Sequence, residues 1–393
     1  MIDFRRAQAL IRASVEPVDS ERIALFEAGR RIISEDICAP IDLPPYPIAI
    51  RAGYSMLEIN DNTDEQGGDH APDTDKIHTV RVPVFPGDPI PNPDIEDSEP
   101  IVSSWSQVTD SDTTLELTGE HIVTAGAVHR EGSTVIQGGH LLGPSDIALL
   151  ADLGIRRVGV HRAPRVAILT IGNDLVKIDD VIPTGCRFDS AGALINDTIV
   201  QCSGIPVQLG PIPENFEDME FAVSKGLEED ALIIAAHQGF GRGAGLLQVL
   251  SKHNMEAVFS GVRIWPGGTI VLGHIKEIPV LVLPLAVGEL LTAAELMMVP
   301  FIRRLSGRKR SIRRGISGVL RADLSSPYRD KCIVWGVRMS GEFRPYDVTL
   351  VDQWPGATRY RTPDLYGLCL SEQGEDLREG DDVEVLPLIS RVI

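Results

Sequence analysis

The stretch Arg165-Val166-Ala167-Ile168-Leu169-Thr170-Ile171-Gly172-Asn173-Asp174-Leu175 decides the fold. Residues 166–170 form a continuous strand pattern that stops at a Gly-Asn-Asp turn. A strand with one wet face alternates polar and apolar residues; one without alternation is covered on both faces. Downstream, the period keeps switching. Residues 193–202 read as helix, 206–209 as strand, 215–227 as helix and 231–236 as a second buried strand. Then come a helix at 246–253, strands at 269–272 and 280–283, and a long helix over 287–305. Unbroken apolar strands between helices predict a parallel sheet with helices on both faces.

Working outward, Phe4, Ala7, Leu10 and Ile11 share one face at helical spacing. Asp19-Ser20-Glu21 reads as the start of a second helix, carrying Ile23, Leu25 and Phe26 and ending at Gly29. Pro40, Pro44, Pro45 and Pro47 make an extended connector, since each proline pushes its predecessor out of the helical region. Residues 53–130 read as all-β, with 60–75 as a polar, acidic, mobile loop. A helix begins at Pro144-Ser145-Asp146 and runs to Gly154. Residues 315–393 return to short strands (318–322, 333–339, 347–350, 366–370 and 382–386), which predict a small β-barrel or sandwich. Gly380-Asp381-Asp382 is the turn before the closing strand.

The chain's 393 residues exceed one ordinary core, so several domains are expected. A net charge of −19 argues against nucleic acid and against an anionic membrane surface, both of which are gripped by Lys and Arg. Cys38, Cys186, Cys202, Cys332 and Cys369 are scattered and form no CxxC pair, so neither a disulfide framework nor a zinc site is expected. The sequence shows no signal-peptide core and no long charge-free apolar run, which makes the cytoplasm the expected compartment. The basic run from Arg303 to Arg314, with Arg308-Lys309-Arg310 at its centre, reads as a solvated linker.

Several strings, in order, resemble the MoeA family and the related C-terminal part of gephyrin. Pro44-Pro45-Tyr46 with Gly53-Tyr54 sits where the family has Pro-Pro/Gly-Phe-Asp-Asn-Ser-Ala-Met-Asp-Gly-Tyr, and Pro86-Gly87-Asp88-Pro89-Ile90-Pro91 is similar to its Thr-Gly-x-Pro-x-Pro. The opening stretch is similar to Arg-Val-Ala-Ile-x-x-Thr-Gly-Asp-Glu-Leu. Phe188-Asp189-Ser190 resembles Tyr-Asp-Ser-Asn, and Pro266-Gly267-Gly268 resembles Lys-Pro-Gly-Lys. Matches that keep their order are the signal, because chance hits would not fall in sequence.

The resemblance implies an α/β multidomain chain. Residues 1–51 and 131–160 would form a helical and extended first domain, and 52–130 a small β domain. A MogA-like parallel α/β domain over 161–310 would bind molybdopterin, and 311–393 would close as a β-barrel. It further implies a homodimer and a molybdopterin molybdenumtransferase activity, the insertion of molybdate into adenylylated molybdopterin within molybdenum-cofactor biosynthesis. The catalytic candidates are Asp174 and His237. Thr170, Gly172 and Asn173 would line the first strand end, with Asp189 and Ser190 beside them. Asp189-Ser190 reads first as a helix cap. Gln238, Gly239, Gly241, Arg242 and Gly243 form a glycine-rich loop whose amides suit a phosphate, or simply close the domain. Pro266, Gly267, Gly268 and Pro284 complete the set. Trp265 reads as a ring-stacking surface or as core filling.

Much of the family's polar set is replaced. Ala52 and Pro86 stand for an Asp and a Thr, Gly126-Ala127-Val128 for Gly-Glu-Asp, and Ala244 for an Asp. Trp265 and Gly268 replace two lysines, and Glu289 falls at a small hydroxyl. A charge-assisted hydrogen bond contributes about 1.5–3 kcal/mol, so two missing lysines weaken an oxyanion grip by orders of magnitude. Mg²⁺ needs grouped carboxylates, and the sequence keeps one at Asp174. The expected ligand is therefore a molybdopterin species without a secure Mg²⁺ site. The alternative is a MoeA-like scaffold or partner protein that has lost the transferase reaction.

Overall fold

In the computed structural model, which describes residues 1–50, 53–60, 77–89, 104–107, 115–117, 122–237, 244–341, 344–351 and 365–389, the strand Arg165–Ile171 lies inside a six-stranded sheet. The strands run in the order Ile205–Gln208, Arg165–Ile171, Ala231–Ala236, Ile278–Pro284, Val271–Ile275 and Glu256–Ser260. Val166, Ile168, Ala231, Ile233, Leu281 and Leu283 point to one face, under Ala191, Ile195 and Ile199 of the helix Ser190–Gln201. Ala167, Leu169, Leu232, Ile234, Val280 and Val282 point to the other, under Met219, Ala222 and Val223 and under Leu246, Val249 and Leu250 of two further helices. Both faces are dry, which is why the strand residues do not alternate.

The sheet is mixed, not wholly parallel. The first four strands pair in parallel, whereas Val271–Ile275 and Glu256–Ser260 pair antiparallel. Only Lys276 and Glu277 separate Val271–Ile275 from Ile278–Pro284, and Lys276 has φ 55°. A two-residue turn makes a hairpin and is far too short for a parallel crossover. Glu256–Ser260, absent from the sequence-based expectation, is the edge strand of this hairpin side.

The long helix expected over 287–305 is present as three consecutive helical segments. Val287–Ala293 and Val299–Leu305 are α-helical, and Ala294–Met298 between them is π-helical. Pro300 supplies the reason. It has no N–H to give to the carbonyl of Leu296, one turn earlier. Gln8 of the helix Phe4–Ser14 supplies the missing donor, its Nε2 lying 3.0 Å from the Leu296 oxygen in a buried setting. Ala7 and Ile11 of that first helix are fully buried in the same core.

Two sequence expectations are overturned. The helix expected to open at Asp19 is a strand, Ser20–Ala24, followed by a single 3₁₀ turn, Leu25–Glu27. Ser20–Ala24 pairs antiparallel with Arg157–His161, placing Ile23 against Val158 beside a small core of Leu25, Leu142 and Leu150. Pairing with a segment more than a hundred residues away overrides the local pattern, and Phe26, which a helix would have buried, is 89% exposed. The basic run is likewise no solvated linker. Arg303 is buried, Arg308 is half-buried, and the Arg313 side chain is sealed against the Glu295 carboxylate. Burial, with Arg308 nearby, brings the Arg303 guanidinium down to about 10.

The remaining parts are β. Gly53–Asn60 pairs with Ile77–Val84 and Ser104–Gln107, and the latter with Leu115–Leu117. Residues 61–76, most of the expected mobile loop, lie outside the described residues. At the C-terminal end, Cys332–Ser340, Tyr346–Leu350, Ile316–Leu320, Asp382–Pro387 and Gly367–Ser371 pair in that order and return to Cys332–Ser340, closing a barrel. Among the described residues no helix is long and apolar enough to cross a membrane.

Candidate functional site

Three neighbouring parallel strands end together: Arg165–Ile171, Ala231–Ala236 and Ile278–Pro284. Gly172-Asn173-Asp174, His237 and Leu285 come directly after those ends. Carboxyl ends of parallel strands are where open α/β sheets leave room for a ligand, because the chain turns away there into loops.

Asp174 and His237 come together around a residue that sequence reasoning missed, Arg187. A short parallel ribbon, Leu175–Val176 beside Arg187–Phe188, fixes its position, with the Arg187 amide on the Asp174 carbonyl at 2.8 Å. The Arg187 Nε donates to Asp174 Oδ2 at 2.7 Å, and its Nη2 lies 3.5 Å from His237 Nε2. Partial burial works to raise the Asp174 pKa, but the hydrogen bond and charge of Arg187 outweigh it and hold the carboxyl below its ordinary value. Both side chains remain more than a third exposed. The available signal was position alone: Arg187 directly precedes the Phe188-Asp189-Ser190 string.

Asp189 faces inward. Its Oδ1 caps the helix Ser190–Gln201 by accepting from the Gly192 amide at 2.8 Å, and its Oδ2 accepts from the Thr170 hydroxyl at 2.5 Å. Thr170 is fully buried, so this pair locks the strand end to the helix start. Gly192 permits the approach, because a Cβ there would sit 2.4 Å from Asp189 Oδ2. Ser190 is exposed at the first helical position. Asn173 is exposed and accepts from the Glu214 amide at 2.8 Å, while Gly172 is buried beneath Asp174.

Pro266, Gly267 and Gly268 are buried away from this group. Gly267 has φ 86° and lies under the Glu289 carbonyl, where a Cβ would come to 2.5 Å. The segment packs the strand region against the last helix. Pro284 is buried at the end of its strand. Trp265 belongs to the joint with the barrel: its two-residue strand pairs with Cys332–Ser340, and its ring lies 5.3 Å from that of Tyr328. Ala52 and the loop residues Gln238, Gly239, Gly241, Arg242 and Gly243 lie outside the described residues. Among the described residues no three His, Cys, Asp or Glu side chains gather to hold a metal ion. Asp174, the carboxylate at this strand end, already has one oxygen on Arg187.

A mixed sheet covered on both faces, a β unit between the first helix and that sheet, and a terminal barrel define a multidomain α/β protein. Residues 2–154 match the MoeA N-terminal region, domains I and II. The chain is 24% identical over 307 residues to the molybdopterin molybdenumtransferase of Haemophilus influenzae, an alignment that covers 75% of this chain and 74% of that one. It is 26% identical over 282 residues to molybdopterin molybdenumtransferase 1 of Mycobacterium tuberculosis, covering 68% and 64%. The crystal structure of the molybdopterin biosynthesis MoeA protein from Pyrococcus horikosii superposes with a TM-score of 0.73 at 21% identity and covers 99% of both chains. The chain thus resembles the MoeA family by sequence in its N-terminal region and shares the fold of the MoeA structure along its length.

Proposed function

We propose that this chain acts in molybdenum-cofactor biosynthesis by binding a molybdopterin species at the carboxyl ends of its central strands. The carrying observation is the Asp174–Arg187–His237 group. Arg187 brings a fixed guanidinium to the strand ends, and a planar guanidinium suits a phosphate or a pterin carbonyl. Asp174 keeps it oriented, and the backbone ribbon keeps both in register. His237 adds a ring nitrogen at the same point, able to hold or pass a proton. Mg²⁺ enters no step of this reading.

Whether turnover accompanies binding is a separate question, and a specific observation favours a scaffold that no longer transfers molybdenum. Asp189 is committed to Thr170 and Gly192, Asp174 to Arg187, and the Pro266–Gly268 turn to packing. Calorimetry with molybdopterin and its adenylate, with and without Mg²⁺ and molybdate, tests both readings. We expect saturable binding that Arg187→Gln weakens by about ten- to a hundred-fold, the loss of one charge-assisted bond. Absence of binding removes the proposal. Binding with release of molybdenum cofactor removes the scaffold reading.

A further inference from the structure

We propose that a second cavity, of about 800 Å³, between the first helix, the π-helical segment and the barrel, binds a small organic anion: a phosphate or carboxylate on an apolar body. It is separate from the strand-end cleft and its residues belong to none of the candidates above. Its walls include Phe4, Leu296, Ile312, Leu370 and Leu386, which suit an apolar body, and its volume suits a small organic ligand.

The polar groups decide the charge. Arg5, Arg12, Arg263 and Arg313 line the cavity together with Asp3, Glu372 and Glu384. Each acid already has a donor. Asp3 caps the first helix through the Arg5 and Arg6 amides at 2.9 and 3.3 Å. Glu372 holds Arg5 at 2.8 Å, and Glu384 accepts from the Gly315 amide at 3.0 Å. Arg313 is consumed by Glu295. Arg12 and Arg263 have no carboxylate partner among the described residues. Two guanidinium groups without an ion-pair partner among the described residues therefore face one cavity, whose remaining acids, Asp3 and Glu384, have their oxygens turned to backbone amides.

The backbone holds one of them firmly. The Arg263 amide donates to the Ile2 carbonyl at 2.8 Å, and its own carbonyl accepts from the Cys332 amide at 3.0 Å. Arg12 stands on the last turn of the first helix. Guanidinium groups without a protein acid select oxyanions, and apolar walls select a body larger than the bare ion.

The probes are phenyl phosphate, benzoate and inorganic phosphate, titrated calorimetrically into the full chain. Phenyl phosphate tightest separates a phosphate ester from a carboxylate; benzoate tightest assigns the carboxylate. The double variant Arg12→Gln/Arg263→Gln is expected to weaken the preferred probe at least ten-fold, while Arg378→Gln, outside the cavity, leaves it unchanged. Both arginines are exposed, so folding is expected to survive; should the double variant not fold, Arg263→Gln alone carries the comparison. No saturable binding, or equal weakening by Arg378→Gln, overturns the proposal. Because the strand-end cleft is untouched by these changes, failure here leaves the molybdopterin reading standing, and the reverse also holds.

Discussion

Replacing Arg313 by Met should expose how the barrel is fastened to the central domain. Both members of the Glu295–Arg313 pair keep only 5% of their side-chain surface. Glu295 sits in the π-helical segment and also accepts from the Ile389 amide at 3.1 Å, while Arg313 donates to the Pro387 carbonyl at 2.6 Å. One pair therefore joins the last helix, the segment leading to the barrel and the barrel's final strand. Removing the cation leaves a buried carboxylate and an orphaned carbonyl, a loss of about 3–5 kcal/mol. For a chain this long that is a melting shift of roughly 4–6 °C by differential scanning calorimetry.

The pH dependence is set by the direction of the shift. Burial pushes the Glu295 carboxyl above its ordinary value, with Arg313 and the Ile389 amide pulling the other way. A carboxyl raised in the folded state favours folding at low pH, and that contribution is lost as pH rises through the folded value. Without Arg313 the value climbs further, so the deficit against the natural chain should be larger at pH 8 than at pH 5. Glu295→Gln/Arg313→Met should recover part of the loss, since no charge is then buried alone. A variant that melts within a degree of the natural chain, or whose deficit is the same at both pH values, refutes the reasoning.

Two further outcomes are expected. Gln8→Leu removes the donor that satisfies the Leu296 carbonyl below Pro300 and should cost about 1–3 kcal/mol in urea unfolding; Gln8→Glu, which cannot donate when ionised, should recover nothing at neutral pH. Asp189→Ala deletes a cap and strands the Thr170 hydroxyl, and should cost about 1–2 kcal/mol, measured the same way.

What could be read in the sequence was whatever depends on local period. The strand Ala231–Ala236 and the helix Phe216–Gly226, with its Asn215 cap, arise from apolar spacing and a capping side chain. The strand Ser20–Ala24 was hidden because its partner is Arg157–His161, and nothing local announces a pairing across that distance. The mixed sheet was visible only as the short gap at Lys276-Glu277, which leaves no room for a crossover helix between the two strands it joins. In the site, motif strings led to Asp174 and His237, whose place at the strand ends the fold makes plain. Arg187 escaped because its role arises from a two-residue ribbon, and a lone arginine in sequence carries no such mark. The run Arg303–Arg314 misled for the opposite reason: charge density suggests water, but Glu295 and the enclosing core decide where Arg313 and Arg303 reside.

The docking of the first helix has a bearing on how the polypeptide is made. Ala7 and Ile11 find their neighbours among residues such as Leu296 and Val299, nearly three hundred positions later. A nascent chain leaving the ribosome must therefore carry this apolar stripe unshielded until the last helix has emerged, and a chaperone or a provisional contact is the natural guardian in that interval. Fragments that stop short of residue 290 should stick to one another, whereas those reaching residue 310 can seat the helix.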